Sequence, residues 1–167
     1  MRKAFTLIEL MVSISILSII MIYLYKSYSS LNRSNSIYKE KISQIRATQL
    51  KKKVIFLDFA LAFDKSINIL NQDKNEDIVF LQTSNSMHRR YNPYVAYIFK
   101  DEKLYRLESL KEFKEYPLSM DVEFSVEFFG NIDGFRVYSS TKKDSKVNLV
   151  HVNFKDEEDI LLKIKIL

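Results

Sequence analysis

Residues 5–25 read FTLIELMVSISILSIIMIYLY. Met1-Arg2-Lys3-Ala4 precedes them, and Glu9 is the single charged residue inside the run. At a helical rise of about 1.5 Å per residue, a run of this length crosses a bilayer core of roughly 30 Å. An acidic side chain is costly in hydrocarbon, so Glu9 marks a functional position. The run holds no Lys, Arg or His to pair with it, and Lys26 lies too far along to reach back. A cut between Ala4 and Phe5 would create an α-amino group about one helical turn from Glu9, available to that carboxylate or to the one of a neighbouring copy. A carboxylate this close to the end can also snorkel to the headgroups.

A secretory signal would need a small-residue cleavage site after the apolar run. The run ends Tyr23-Leu24-Tyr25-Lys26-Ser27-Tyr28, with no such site, so it is expected to stay attached as an anchor. Arg2 and Lys3 favour a cytoplasmic N-terminus, but Lys26, Arg33, Lys39 and Lys41 follow the run. Charge alone therefore leaves the orientation open.

Lys3-Ala4-Phe5-Thr6-Leu7-Ile8-Glu9-Leu10 resembles the cleavage and methylation motif of type IV prepilins and type II secretion pseudopilins. The resemblance implies that a prepilin peptidase cuts between Ala4 and Phe5 and methylates Phe5. It implies that Glu9 pairs with the N-terminal amine of an adjacent subunit during assembly. The family usually has Gly where this chain has Ala4, which is also small. The implied partners are other pilins or pseudopilins through the N-terminal helix, prepilin peptidase and an inner-membrane assembly platform. The implied location is the inner membrane in a single pass, with the C-terminal part in the periplasm and later in a pilus or pseudopilus.

The chain has 167 residues, a net charge of +5, two glycines and no cysteine. That leaves room for one spanning helix and one modest folded region. It excludes disulfides, thiolate metal sites and a cysteine nucleophile. Four segments are expected: a leader over 1–4, a transmembrane helix over 5–25, its continuation over 26–70, and a β-sheet domain over 71–167. Helical spacing supports the continuation, with Tyr38, Ile42 and Ile45 on one stripe and Val54, Leu57 and Leu61 on another. Lys51-Lys52-Lys53 between them reads as a solvated face, or as a contact for anionic headgroups or a partner.

Asn71 to Asp77 reads as a polar loop, after which the hydrophobic period becomes two. Strands are expected over Ile78–Thr83, Tyr94–Lys100, Lys103–Glu108, Phe135–Ser139, Val147–Phe154 and Ile160–Ile166. Val122, Phe124, Val126 and Phe128 share one face of a further strand, and Gly130-Asn131 with Asp133-Gly134 reads as a turn out of it. Alternation of this kind argues half-buried antiparallel strands with a helix over one face. The fold class is α+β, a long N-terminal helix packed on an antiparallel sheet.

A second resemblance rests on Leu57-Asp58-Phe59, Leu81-Gln82-Thr83-Ser84-Asn85, Val95-Ala96-Tyr97, Asp101 and Leu104-Tyr105-Arg106. It is to the J-type minor pseudopilins and the W-type minor pilins. It departs at Glu102, where the family's turn often has Gly. The low Gly content also resembles minor rather than major subunits.

Catalysis has little to stand on. His88 and His151 lie in unrelated contexts, and two glycines cannot build a phosphate loop. Asp156-Glu157-Glu158-Asp159 offers oxygen ligands for calcium but lacks the alternating spacing of a binding loop, and reads as a solvated turn. His88-Arg89-Arg90-Tyr91-Asn92-Pro93-Tyr94 mixes cations with aromatics, as a single-stranded nucleic-acid surface would, or as a loop packed at a sheet edge. No cofactor and no catalytic residue is expected. The function expected is that of a minor structural subunit, with a membrane-tethered receptor for DNA or a secreted substrate as the alternative.

Overall fold

A computed structural model describes residues 6–63, 66–73, 76–119, 121–140 and 147–166. Helix α1 runs Leu7–Ala60. Seven strands follow: β1 Asn68–Asp73, β2 Glu76–Gln82, β3 Tyr94–Lys100, β4 Lys103–Ser109, β5 Phe124–Ser139, β6 Val147–Phe154 and β7 Ile160–Lys165. They form one sheet in sequence order, and each strand is antiparallel to the next. The layout is the α+β arrangement expected from the change of hydrophobic period.

The chain divides into two compact units, residues 1–46 and 47–167. In the first, α1 is exposed along its described length, with Ser34 alone half-buried. The second holds the end of α1 and the sheet. There Ile55 and Phe59 are fully buried, and they pack with Val79, Leu81, Val95, Tyr97, Leu104, Phe135, Val150, Val152, Ile160 and Ile164. Burying a side chain such as Phe59 contributes about 1.5–3 kcal/mol. The other face of the sheet is covered by the segment after β4, where Phe113, Tyr116, Leu118 and Val122 pack on Ile78, Phe80, Ala96, Ile98 and Leu107.

Four expectations are corrected. The helix stops at Ala60 rather than near residue 70, and the stretch from Asn71 to Asp77, read as a polar loop, falls largely in strands, with β1 over Asn68–Asp73 and β2 from Glu76. Ala62 bridges to Thr83, and the Phe63 N–H donates to the Gln82 carbonyl at 2.9 Å, so the end of β2 captures the backbone that would have continued the helix. The fully buried residues at the end of the helix are Ile55, Asp58, Phe59 and Ala60, whereas Val54, Leu57 and Leu61 are half-buried. The glycines at 130 and 134 do not make a turn. They sit inside β5, a strand of 16 residues whose register shifts opposite Leu104/Tyr105 and again between Ile132 and Gly134. Such bulges bend a strand without ending it. At Gly130 the backbone has φ 145°, and a Cβ there would lie 2.9 Å from a ring carbon of Phe154, so both conformation and space call for glycine.

The β3–β4 hairpin turns at Asp101 and Glu102, with φ 51° and 59°. Positive φ at both central residues matches the right-handed twist of a two-residue hairpin. Glu102 takes the position without glycine. Its carboxylate accepts from Lys155 at 2.6 Å, and its carbonyl accepts from the Ile132 N–H at 2.9 Å.

Candidate functional site

The start of α1 is built by local chemistry. Thr6 and Glu9 stand three apart, the spacing of a capping box. The Glu9 Oε2 atom accepts from the Thr6 N–H and from the Thr6 hydroxyl, each at 2.9 Å, and the Glu9 N–H donates back to the Thr6 Oγ1 at 3.4 Å. The carboxylate thus has local donors and sits at the positive end of the helix dipole. Further along, the hydroxyls of Ser13, Ser15 and Ser18 donate to the carbonyls of Glu9, Met11 and Ile14 at 2.7–2.9 Å. This back-bonding hides each hydroxyl within the helix, as an apolar surrounding requires. The most apolar 18-residue window of α1 has a mean hydropathy of 2.4, and none of it is buried. Leu7, Ile8, Met11, Leu17, Ile19 and Ile22 are each more than half exposed. Ala4 and Phe5, the expected cleavage and methylation positions, lie outside the described residues.

The end of α1 carries the opposite arrangement. Asp58 is fully buried. Its carboxylate accepts from the Tyr97 hydroxyl at 2.6 Å, from Arg106 Nε at 2.7 Å and Nη2 at 3.1 Å, and from the Asn85 amide at 2.7 Å. Arg106 Nη1 also donates to Glu108 Oε2 at 2.8 Å. Glu108 accepts in addition from the Ser86 hydroxyl at 2.6 Å and the Met87 N–H at 3.0 Å. A buried guanidinium held on two carboxylates answers most of its own desolvation, which an unpaired one cannot. Burial opposes the charge of Arg106, but the Asp58 carboxylate outweighs it and raises its proton affinity above the usual range. Burial, followed by the charge of Asp58, pushes the Tyr97 phenol well up. Burial alone would raise Glu108; the Ser86 hydroxyl, Arg106 and the Met87 N–H together bring it below the ordinary carboxylate value.

Asp58, Asn85, Tyr97 and Arg106 all belong to the segments that carry the second resemblance. They come from α1, the loop after β2, β3 and β4, and meet in one buried network. Glu108 and Ser86 complete it. The sequence reading missed Glu108; its place two residues beyond Arg106, on the same strand face, is the signal that could have found it.

The remaining charged motifs are drawn into the fold. Arg90 donates to the Glu108 carbonyl and, at 2.9 Å, to the Ser125 hydroxyl. His88 Nε2 stands 3.2 Å from Glu127. Two of the three basic residues of the 88–94 segment therefore face the sheet rather than a free ligand surface. In the acidic turn, Glu157 accepts from Thr48 at 2.8 Å and pairs with Lys51, whose ammonium also lies 5.2 Å from the centre of the Phe154 ring. Lys52 and Lys53 are exposed. His151 is half-buried with Asp159 3.8 Å away. Among the described residues, no group of three His, Cys, Asp or Glu could hold a metal ion.

Residues 1–25 match the family model described as the prokaryotic N-terminal methylation motif. The chain carries the prepilin-type leader of type IV pilins and pseudopilins. No curated protein and no solved structure matches it. The prepilin motif marks the chain as a pilin-like substrate of prepilin peptidase. It indicates a structural subunit, and together with the apolar start of α1 it fits a pilin anchored in a membrane by a single pass.

Proposed function

We propose that this protein is a minor pilin or pseudopilin, a structural subunit built in at or near the tip of a type IV pilus or type II secretion pseudopilus. The chain is cut between Ala4 and Phe5 on the cytoplasmic side of the inner membrane, and Phe5 is methylated. The sheet region stands in the periplasm until the subunit is drawn into the filament by the assembly platform. The observation that carries this reading is the leader motif joined directly to an apolar helix whose spanning window is exposed among the described residues. The bilayer covers that surface first, and the helices of other subunits cover it afterwards. The convergence of Asp58, Asn85, Tyr97 and Arg106 supports the minor-subunit type, because the resemblance to J-type and W-type subunits rests on the segments that contribute them.

Glu9 has a double task in this scheme. Its capping bonds to Thr6 survive cleavage, because the cut falls before Phe5. The same carboxylate has acceptor capacity left for the new Phe5 amine of a neighbour. Mass spectrometry of the protein from cells with active prepilin peptidase should find a terminus at methylated Phe5. An intact Met1 or Arg2 terminus overturns the proposal. Glu9→Ala should insert in the membrane yet fail to enter filaments, whereas Thr6→Ala, which removes a cap hydroxyl and keeps the carboxylate, should still enter. Equal loss in both variants would reduce Glu9 to a helix cap.

A further inference from the structure

Strand β5 changes neighbours halfway along its length. Residues 124–131 pair with β4, while residues 132–139 pair with β6, and Phe135 bridges to Glu76 of β2. A strand has two hydrogen-bonding edges. Among the described residues, the segment Phe124–Gly130 uses one of them, for β4, and its second edge pairs with no strand. The pairing of β6 with β5 reaches Ile132, and just beyond it the Lys155 N–H donates to the Asn131 carbonyl at 3.1 Å.

The side chains along this bare edge are not those of a guarded one. Lysine, proline or an inward charge usually blunts an open edge. Here Phe124, Val126 and Phe128 lie on one face, exposed by 37, 54 and 57 %. Their cross-strand neighbours in β4 are Ser109, Leu107 and Tyr105, and the Tyr105 and Phe128 rings lie 5.9 Å apart. On the opposite face stand Ser125 and Glu127, already engaged by Arg90 and His88. Unpaired backbone donors and acceptors with an apolar row beside them call for another strand.

The order of residues says which strand. Phe124-Ser125-Val126-Glu127-Phe128 reads alike in both directions about Val126 in the character of its side chains. A second copy laid antiparallel across a two-fold axis at Val126 sets Val126 on Val126, Phe124 on Phe128, and Ser125 on Glu127. No carboxylate then faces a carboxylate, and the aromatic cross-strand pairs are of the stabilising kind. We infer that the free edge of β5 over Phe124–Gly130 is a pairing surface for a second copy of this chain, joined edge to edge in antiparallel register about Val126. The inference rests on the sheet alone and is independent of how the N-terminus is processed.

The chain has no cysteine, so the register can be read by single-cysteine crosslinking of the full-length protein in membranes. An added copper–phenanthroline oxidant removes two electrons and two protons from each pair of thiols that forms a disulfide. Directly opposed Cβ atoms lie about 4.5–5.5 Å apart, within disulfide reach, whereas residues four apart along a strand are separated by about 13 Å. Val126→Cys should give a disulfide-linked homodimer. Phe124→Cys and Phe128→Cys should crosslink well when expressed together and poorly when expressed alone. Leu161→Cys, 61 % exposed on β7, sets the background of chance collisions, which the opposed pairs should exceed by about tenfold. Monomer throughout overturns the inference. So does crosslinking no better than Leu161→Cys, strong dimer from Phe124→Cys or Phe128→Cys alone, or a disulfide to a different protein. None of these results bears on whether Phe5 becomes the mature terminus.

Discussion

Helix α1 carries an acid near each end, and the two are handled in opposite ways. Glu9 lies in an apolar, exposed stretch and takes its donors from Thr6, within its own first turn. Asp58 lies in a buried stretch and takes its donors from three other segments of the chain. The first arrangement forms as soon as the helix forms. The second exists only when the sheet is in place. A locally capped acid remains available for a partner outside the chain, whereas a network closed on itself fixes one helix end to one sheet. The likeness of the residue type hides this difference, and burial reveals it.

The sharpest way to break the contrast is to delete each carboxylate in turn. Asp58→Ala strands a buried guanidinium and removes acceptors from Tyr97 and Asn85. Removing one partner of such a pair costs about 3–5 kcal/mol. Urea unfolding of the full chain in detergent, followed by near-ultraviolet dichroism of the tyrosines, should show that loss. Asp58→Asn, which keeps the shape, should lose less. Glu9→Ala should leave the same transition unmoved. A shift for Glu9→Ala as large as for Asp58→Ala would show that the two ends are not energetically separate.

A second test sharpens the comparison through protons. Glu108 is held below the ordinary carboxylate value in the fold, so the unfolded chain takes up a proton at higher pH than the folded one does. Its contribution is present above the unfolded value of about 4.3 and is lost as pH falls through the lower folded value. The thermal unfolding temperature should therefore fall below about pH 4, and Glu108→Gln should flatten that dependence. Tyr97 gives the mirror case. Its phenol is pushed up by burial, so its contribution is whole below about pH 10 and lost as pH rises past that. An acid limb as steep in Glu108→Gln as in the parent would remove Glu108 from the account.

How much of this was legible in the chain depended on whether the cause was local. The apolar run from Phe5 to Tyr25, the β3–β4 hairpin and the alternation in β7 carry their own period, and the structure has elements at each. The stop at Ala60 does not, because the edge of β2 captures Ala62 and Phe63 from a distance. The buried stripe was misplaced because it contains Asp58, and periodicity of apolar residues steps over a charge. The capping partner of Glu9 was present as Thr6 three residues earlier, but a search for a cation passes over a hydroxyl and an N–H. In β5 the alternation was right, but alternation does not tell how far a face is covered. Phe124, Val126 and Phe128 look outward, since the covering segments lie over Ser125 and Glu127 on one side and reach only part of the other. Glycines at 130 and 134 signal a turn or a bulge equally, and the pairing of β5 with both β4 and β6 selects the bulge.

The smallest effect concerns how the buried end of α1 is held beyond its network. Glu157, from the turn between β6 and β7, grips Thr48 and Lys51 on the helix. Both charges are partly exposed, with side chains 30 % and 21 % open to solvent, so water and salt screen the pair. Such a contact contributes about 0.3–1 kcal/mol, several times less than the Asp58 network. Glu157→Ala should lower the urea midpoint slightly, and 1 M salt should remove most of the difference between variant and parent. Lys51→Met should cost still less than Glu157→Ala, because a methionine places an apolar chain of similar length near the Phe154 ring over which the ammonium stood. If Glu157→Ala instead proved as damaging as Asp58→Ala, the helix end would owe its seat to the surface clamp, and the buried charges would be passengers.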